Sequence, residues 1–153
     1  MKIITKNQKE TIELGEKIAR GLRGGEILAL EGNLGAGKTT LIKGIARGLG
    51  IKKSITSPTF VLMKVYKSTD THGFLTDRRR YKIKNLVHVD AYRLKDEKGL
   101  IEIGIGDYLG EKDSVAVIEW AERVKKIFKG KKIIKIKLGL GKKEDERKII
   151  LKK

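Results

Sequence analysis

Apolar runs of strand length alternate with segments of helical periodicity along this chain. The first helical segment covers Lys9 to Leu22, where apolar side chains recur at helical spacing until a pair of glycines ends the pattern. Ile27 to Glu31 then predicts a buried strand, and a glycine-rich turn follows it. A second helix is indicated after this turn by apolar residues that share one face: Leu41, Ile42, Ile45, Ala46 and Leu49.

Later apolar runs predict further strands, and together with the first they make a sheet of six or seven. These runs are Phe60 to Val65, Leu86 to Val89, Val115 to Ile118, Ile133 to Leu138 and Lys148 to Leu151. Their alternation with helical segments predicts an α/β fold, with a mainly parallel central sheet flanked by helices. The last two strands are expected to form an antiparallel pair, because the charged connection Lys142 to Arg147 is too short for a crossover helix.

Length and composition favour one domain that covers residues 1–153. The chain is 39% hydrophobic and has one proline, which is typical of a globular protein. A polar and basic excursion at Lys67 to Lys84, with three consecutive arginines at Arg78 to Arg80, has no clear period. No apolar run is long enough to cross a bilayer, so we expect a cytoplasmic protein. The absence of cysteine excludes thiol catalysis and disulfides.

The charge balance is strongly basic. Thirty-six lysines and arginines against 19 aspartates and glutamates give a net charge of +17, which attracts phosphate-rich partners. A proteome rich in lysine would produce the same excess without any role in nucleic-acid binding. Both interpretations remain open at this point.

The motif that carries the chemistry is Gly32 to Thr39, which matches GxxxxGK[ST] and lies between the predicted strand and the second helix. In such a loop, successive backbone N–H groups and the positive end of the following helix surround an anion. We expect Lys38 to span the β and γ phosphates of a nucleotide and the Thr39 hydroxyl to ligate Mg²⁺. The motif therefore predicts a nucleoside triphosphatase with the P-loop NTPase fold.

A magnesium site in such folds also needs a carboxylate at the end of a nearby strand. Asp90 and Glu119 each end a predicted strand, and both should lie at the carboxyl edge of the sheet. The alternatives are a solvated loop aspartate and a carboxylate at a helix start. Ser57 to Thr59 follows the second helix, where related enzymes have a switch segment that senses the γ phosphate, although an ordinary loop would also fit. Trp120 is expected in the core.

Taken together, these motifs resemble the TsaE (YjeE) family in order and spacing. The matching segments are Gly32 to Thr40, Ser57 to Phe60, His88 to Leu94 and Val117 to Trp120, with further matches at Leu14 to Glu16, Ile103 to Tyr108 and Arg147. The family consists of bacterial ATPases needed to make threonylcarbamoyladenosine (t6A) on tRNAs that read codons beginning with A. The resemblance covers nearly the whole chain.

The resemblance implies a Mg²⁺-dependent ATPase that works with the TsaB and TsaD proteins and resets their complex by hydrolysis. It assigns ATP to a set of loop residues: Asn33, Leu34, Gly35, Ala36, Gly37, Lys38, Thr39 and Thr40. Gln8 joins this set by a looser match before the first helix. We expect Thr39, Glu119 and Asp90 at the metal, of which the resemblance gives the ion to Thr39 and Glu119. The expected catalytic residues are Lys38, Asp90 and Thr59, and the resemblance implies that Asp90 supports hydrolysis. The basic excursion is longer than in the family. Arg93 would either help to stabilise charge at the site or form a surface salt bridge, and the salt bridge is favoured.

Two other functions fit parts of the sequence. A small phosphotransferase would share the loop and the metal but need an acceptor pocket and an arginine-bearing lid, for which Arg78 to Arg80 is the candidate. A nucleotide-gated module that binds tRNA would use the basic excess. Both are alternatives to the ATPase.

Overall fold

The fold is α/β and is built on one mixed β-sheet. The computed structural model describes residues 1–69 and 83–152. Its strands are β1 (Lys2–Thr5), β2 (Ile27–Glu31), β3 (Met63–Lys67), β4 (Asn85–Asp90), β5 (Ser114–Glu119), β6 (Ile133–Leu140) and β7 (Arg147–Lys152). They lie in the order β1-β7-β6-β2-β5-β4-β3. Its α-helices, in the same described residues, are α1 (Gln8–Arg20), α2 (Lys38–Gly48) and the short α3 (Lys98–Glu102).

The strand directions follow the prediction at the centre of the sheet and depart from it at the edges. β6, β2, β5 and β4 are parallel, and the predicted antiparallel pair of β6 and β7 is confirmed. β1 with β7 and β3 with β4 are also antiparallel, so the prediction of a mainly parallel sheet is wrong outside the four central strands. An antiparallel pair does not require a crossover helix, so the lack of a helical period in the sequence between β3 and β4 is compatible with their pairing.

One predicted strand is misplaced. Phe60 to Val65 was expected to be extended, but β3 starts at Met63, and Phe60 is 85% exposed. The Val61 N–H donates to the Pro58 carbonyl and Leu62 has a positive φ of 63°, so Phe60 to Leu62 form a turn. Of the excursion predicted at Lys67 to Lys84, residues 70–82 lie outside the part of the chain that the structure describes. These include the lid candidate Arg78 to Arg80.

The two faces of the sheet are covered differently. Alternate residues of β2 illustrate this: Leu28 and Leu30 pack in the core with α1 and α2, whereas Ile27 and Ala29 pack on the other face. Over β2, β4 and β5 that second face is covered by α3 and by 3-10 turns at Ile105–Asp107, Ala121–Arg123 and Lys125–Phe128. Among the described residues, no helix is long and apolar enough to span a membrane.

Close packing of α1 on α2 depends on Gly44. A Cβ built at Gly44 would collide with the Ile12 carbonyl, which is backbone and cannot rotate away. We expect Gly44→Ala to lower the free energy of unfolding by about 1–3 kcal/mol, because overpacking outweighs the better helix propensity of alanine. Urea denaturation of this variant and of Gly139→Ala, where a Cβ meets nothing within 4 Å, checks the expectation. Equal stability of the two variants would contradict it.

Candidate nucleotide-binding site

The phosphate-loop candidate joins β2 to α2, as the motif predicted. β2 ends at Glu31 and α2 begins at Lys38. Gly37, the residue before the helix, has a φ of 93°, a conformation that side-chain-bearing residues rarely adopt. This turn directs the start of the helix, with its free N–H groups, toward the carboxyl edge of the sheet.

Lys38 is held inside the site. It is only 5% exposed, and its Nζ donates to the carbonyl oxygens of Gly32 at 2.7 Å and Asn33 at 3.0 Å. The same ammonium lies 4.2 Å from the centre of the Trp120 ring. Burial lowers the pKa of Lys38, and the negative charges of Glu119, Asp90 and Glu122 oppose that shift. The result is a desolvated cation with three weak or neutral partners, which suits it to a phosphate group.

Asp90 lies at the end of β4 as a buried and ordered carboxylate. It is 6% exposed, which excludes the alternative of a solvated loop aspartate. Its Oδ2 accepts hydrogen bonds from Ser57 Oγ at 3.0 Å and Thr59 Oγ1 at 2.8 Å, and its Oδ1 accepts one from the Tyr92 N–H at 2.9 Å. The switch candidate is therefore attached directly to Asp90.

Glu119 ends β5 and lies opposite Asp90 in the parallel register. Its Oε1 is 3.4 Å from Thr39 Oγ1 and 2.7 Å from Nε2 of the buried His88. His88 Nδ1 has no hydrogen-bond partner among the described residues, so the proton belongs on Nε2, where it can be donated to Glu119. The histidine thus fixes the carboxylate next to the Thr39 hydroxyl.

A cavity of about 460 Å³ brings these groups together. It is lined by Leu34, Gly35, Gly37, Lys38, Thr39, Thr40, Ser57, Thr59, Asp90, Tyr92, Glu119, Trp120 and Arg147. Most of the predicted site residues are in this set, but Gln8 lines a smaller neighbouring cavity of about 150 Å³. The two cavities share Gly37, Thr40 and Arg147, so Gln8 lies next to the main site.

The oxygen atoms at the cavity fit a magnesium ion better than a softer metal. Thr39, Glu119 and Asp90 offer a hydroxyl and carboxylates, and Mg²⁺ prefers such ligands while keeping several waters or phosphate oxygens. No group of three or more histidines and carboxylates is arranged to hold a metal within residues 1–69 and 83–152.

Several residues of the site were not predicted from their sequence context. Trp120 was expected in the core, but it lines the cavity and has a φ of 58°, a strained value for a tryptophan. Tyr92 lies 5.0 Å from it, ring centre to ring centre. The salt bridge expected for Arg93 is wrong for the described part of the chain, where its guanidinium lies 4.8 Å above the Phe60 ring. The positive φ and the buried His88 are visible only in three dimensions.

Comparisons with known proteins identify relatives of this chain. The sequence model of one family, described as Threonylcarbamoyl adenosine biosynthesis protein TsaE, matches residues 5–149. A relative from Streptomyces coelicolor, named tRNA threonylcarbamoyladenosine biosynthesis protein TsaE, is 41% identical over 88% of this chain and 83% of its own length. A protein of the same name from Treponema pallidum is 40% identical over 81% of each chain. The crystal structure of Bacillus subtilis YdiB aligns with a TM-score of 0.69 at 31% identity, covering 97% of this chain and 82% of that one.

Proposed function

The chain belongs to the TsaE family, whose members take part in t6A biosynthesis on tRNA, and from this premise we propose that it is a Mg²⁺-dependent ATPase with the P-loop NTPase fold. It would act with the TsaB–TsaD complex in forming t6A in tRNAs that read codons beginning with A. Hydrolysis of ATP would reset that complex between rounds. Such a role belongs in the cytoplasm, with the tRNA.

The observation that carries this proposal is that four functional groups lie together at one edge of the sheet. A desolvated lysine, a hydroxyl at a helix start and two buried carboxylates all line the same cavity: Lys38, Thr39, Asp90 and Glu119. Phosphoryl transfer to water needs little covalent chemistry from the protein, and it depends on positioning and charge stabilisation. These residues supply both.

Each residue has a separate task in the proposed mechanism. Bound Mg²⁺ would neutralise negative charge on the phosphates. Thr39 and Glu119 would hold that ion, and the Lys38 ammonium would exchange the loop carbonyls for β and γ phosphate oxygens. Asp90 would orient the attacking water, because its position is fixed by Ser57, Thr59 and the Tyr92 N–H.

The link from Asp90 to the Ser57–Thr59 segment supports a cycle of association. Thr59 donates to Asp90, and the next residues, Phe60 and Val61, are exposed apolar side chains. A change at the γ phosphate would reach Phe60 through this short chain of contacts. We propose that this segment transmits the nucleotide state to the TsaB–TsaD complex.

A pull-down with purified TsaB and TsaD tests the proposal. The chain is incubated with the two proteins in the presence of ATP, ADP or a non-hydrolysable ATP analogue. The assay is repeated with the variants Lys38→Ala and Asp90→Ala. We expect association to depend on the nucleotide in the wild type and on Lys38. Lys17→Ala, an exposed position on α1, is the matched control and should behave as the wild type. No association under any nucleotide condition would count against the partnership.

A further inference from the structure

The antiparallel end of the sheet presents a group of lysines that the nucleotide site does not use. On one face of β6, β7 and β1 lie the exposed side chains of Lys135, Lys137, Lys148, Lys152 and Lys2, which we call the lysine face. The opposite face of the same strands is apolar and packs in the core with α1 and α2 through Ile134, Ile136, Leu138 and Ile149. Alternation along each strand separates the two sets.

The strand register places two of these lysines directly opposite each other and the other three at nearby positions of the same face. Lys135 is directly opposite Lys152, and Ile150 lies between Lys137 on one side and Lys2 on the other. Like charges directly opposite each other on neighbouring strands destabilise a sheet. Glu31, the last residue of β2, is in register with Lys137 and places one carboxylate next to this group. The fold therefore carries a repulsive cluster that does not help it to form.

Protection of the sheet edge does not explain this cluster. Lysines on an edge strand discourage pairing with other chains, and that reason covers Lys2 on β1. β6, however, lies inside the sheet between β7 and β2, and it still presents Lys135 and Lys137 to solvent. Edge protection therefore does not account for these two lysines.

We propose that the lysine face binds the sugar-phosphate backbone of a folded RNA. Lysines two residues apart on a strand are about 7 Å apart, and neighbouring strands add rows at about 4.8 Å, so the face is an array of cations that Ile150 and Ile4 interrupt. No aromatic side chain belongs to this set, so base stacking is not available and contact is to phosphates, independent of sequence. RNA is favoured over an anionic membrane because the family acts in tRNA modification.

The lysine face reaches the border of the nucleotide site without entering it. Lys137 is in register with Glu31, the last residue before the phosphate loop, and Arg147, next to Lys148, lines the main cavity. Bound RNA would therefore lie beside the loop. Binding does not require ATP or its hydrolysis, so the inference can fail while the proposed ATPase stands.

Fluorescence anisotropy with an unmodified tRNA transcript, measured from 50 to 200 mM salt, tests the inference on the full chain. One variant replaces Lys135, Lys137, Lys148 and Lys152 with glutamine. A matched variant replaces Lys17, Lys52, Lys53 and Lys129, which are exposed and lie outside the lysine face, and it loses the same charge. Each phosphate contact contributes about 0.9 to the salt slope on a duplex, so the first variant should lower that slope by about 2 or more.

We expect the lysine-face variant to weaken tRNA binding at 100 mM salt by roughly tenfold or more and the matched variant by less than about threefold. Both should keep wild-type ATP binding and thermal stability, which shows that they are folded. Equal weakening in the two variants would assign the binding to net charge and overturn the inference. So would unchanged binding in both, or no binding by the wild type at 50 mM salt. The same variants are also tested for binding to phosphatidylserine vesicles, and a loss confined to vesicle binding would overturn the inference as well.

Discussion

Replacing Lys38 with alanine is expected to lower ATPase kcat/KM by about three orders of magnitude and to weaken binding of ATP·Mg²⁺ by tenfold or more. The ammonium lies on the cavity wall, is desolvated, donates to two loop carbonyls and lies 4.2 Å from the centre of the Trp120 ring. A phosphate oxygen would be a stronger, charge-assisted acceptor, and the interaction grows as charge develops in the transition state. Calorimetry with ATP·Mg²⁺ and steady-state phosphate release measure the two effects.

The control for Lys38 comes from the same helix. Lys43 is exposed on α2, five residues further along, and Lys43→Ala removes the same charge without touching the cavity. This variant should retain binding and turnover within about twofold, because isolated surface charges contribute little. If Lys38→Ala binds ATP with wild-type affinity and melts at the wild-type temperature, ATP does not bind at the phosphate loop.

The local part of this site could be predicted from the sequence. The loop motif, the helix after it and the two strand-ending carboxylates are each defined by a few neighbouring residues, and periodicity located β2, β4 and β5 closely enough to place them. Parallel strands then bring Asp90 and Glu119 to the same edge, and they are direct neighbours in the register.

The non-local part could not be predicted. His88 is separated by 31 residues from Glu119, and an alternating apolar strand does not reveal which polar side chain will meet a partner on the next strand. The hydrophobic run at Phe60 to Val65 resembled a strand because its first residues are apolar, whereas Phe60 and Val61 are exposed in a turn. Apolar character predicts burial only on average, and exposed apolar side chains near a site are a known exception.

Asp90→Asn should separate catalysis from binding. The amide keeps nearly the same shape, and its oxygen can still accept from the Tyr92 N–H. The NH2 group then replaces Oδ2 and can accept neither of the hydroxyl hydrogen bonds from Ser57 and Thr59. We expect kcat to fall by about 10²–10³ while the Kd for ATP stays within about threefold. Single-turnover hydrolysis gives the first quantity and calorimetry the second. Asp107→Asn, at an exposed position, is the isosteric control.

A comparison with Glu119→Gln decides which carboxylate serves the metal. Glu119 is the carboxylate in contact with the Thr39 hydroxyl, so its replacement should raise the Mg²⁺ concentration needed for half-maximal ATP binding by roughly tenfold. Asp90→Asn should leave that concentration unchanged, because Asp90 is bonded to the switch hydroxyls instead. If both variants shift the Mg²⁺ requirement equally, Asp90 is a metal ligand too. Its loss of turnover then comes from a misplaced ion and not from a misplaced water.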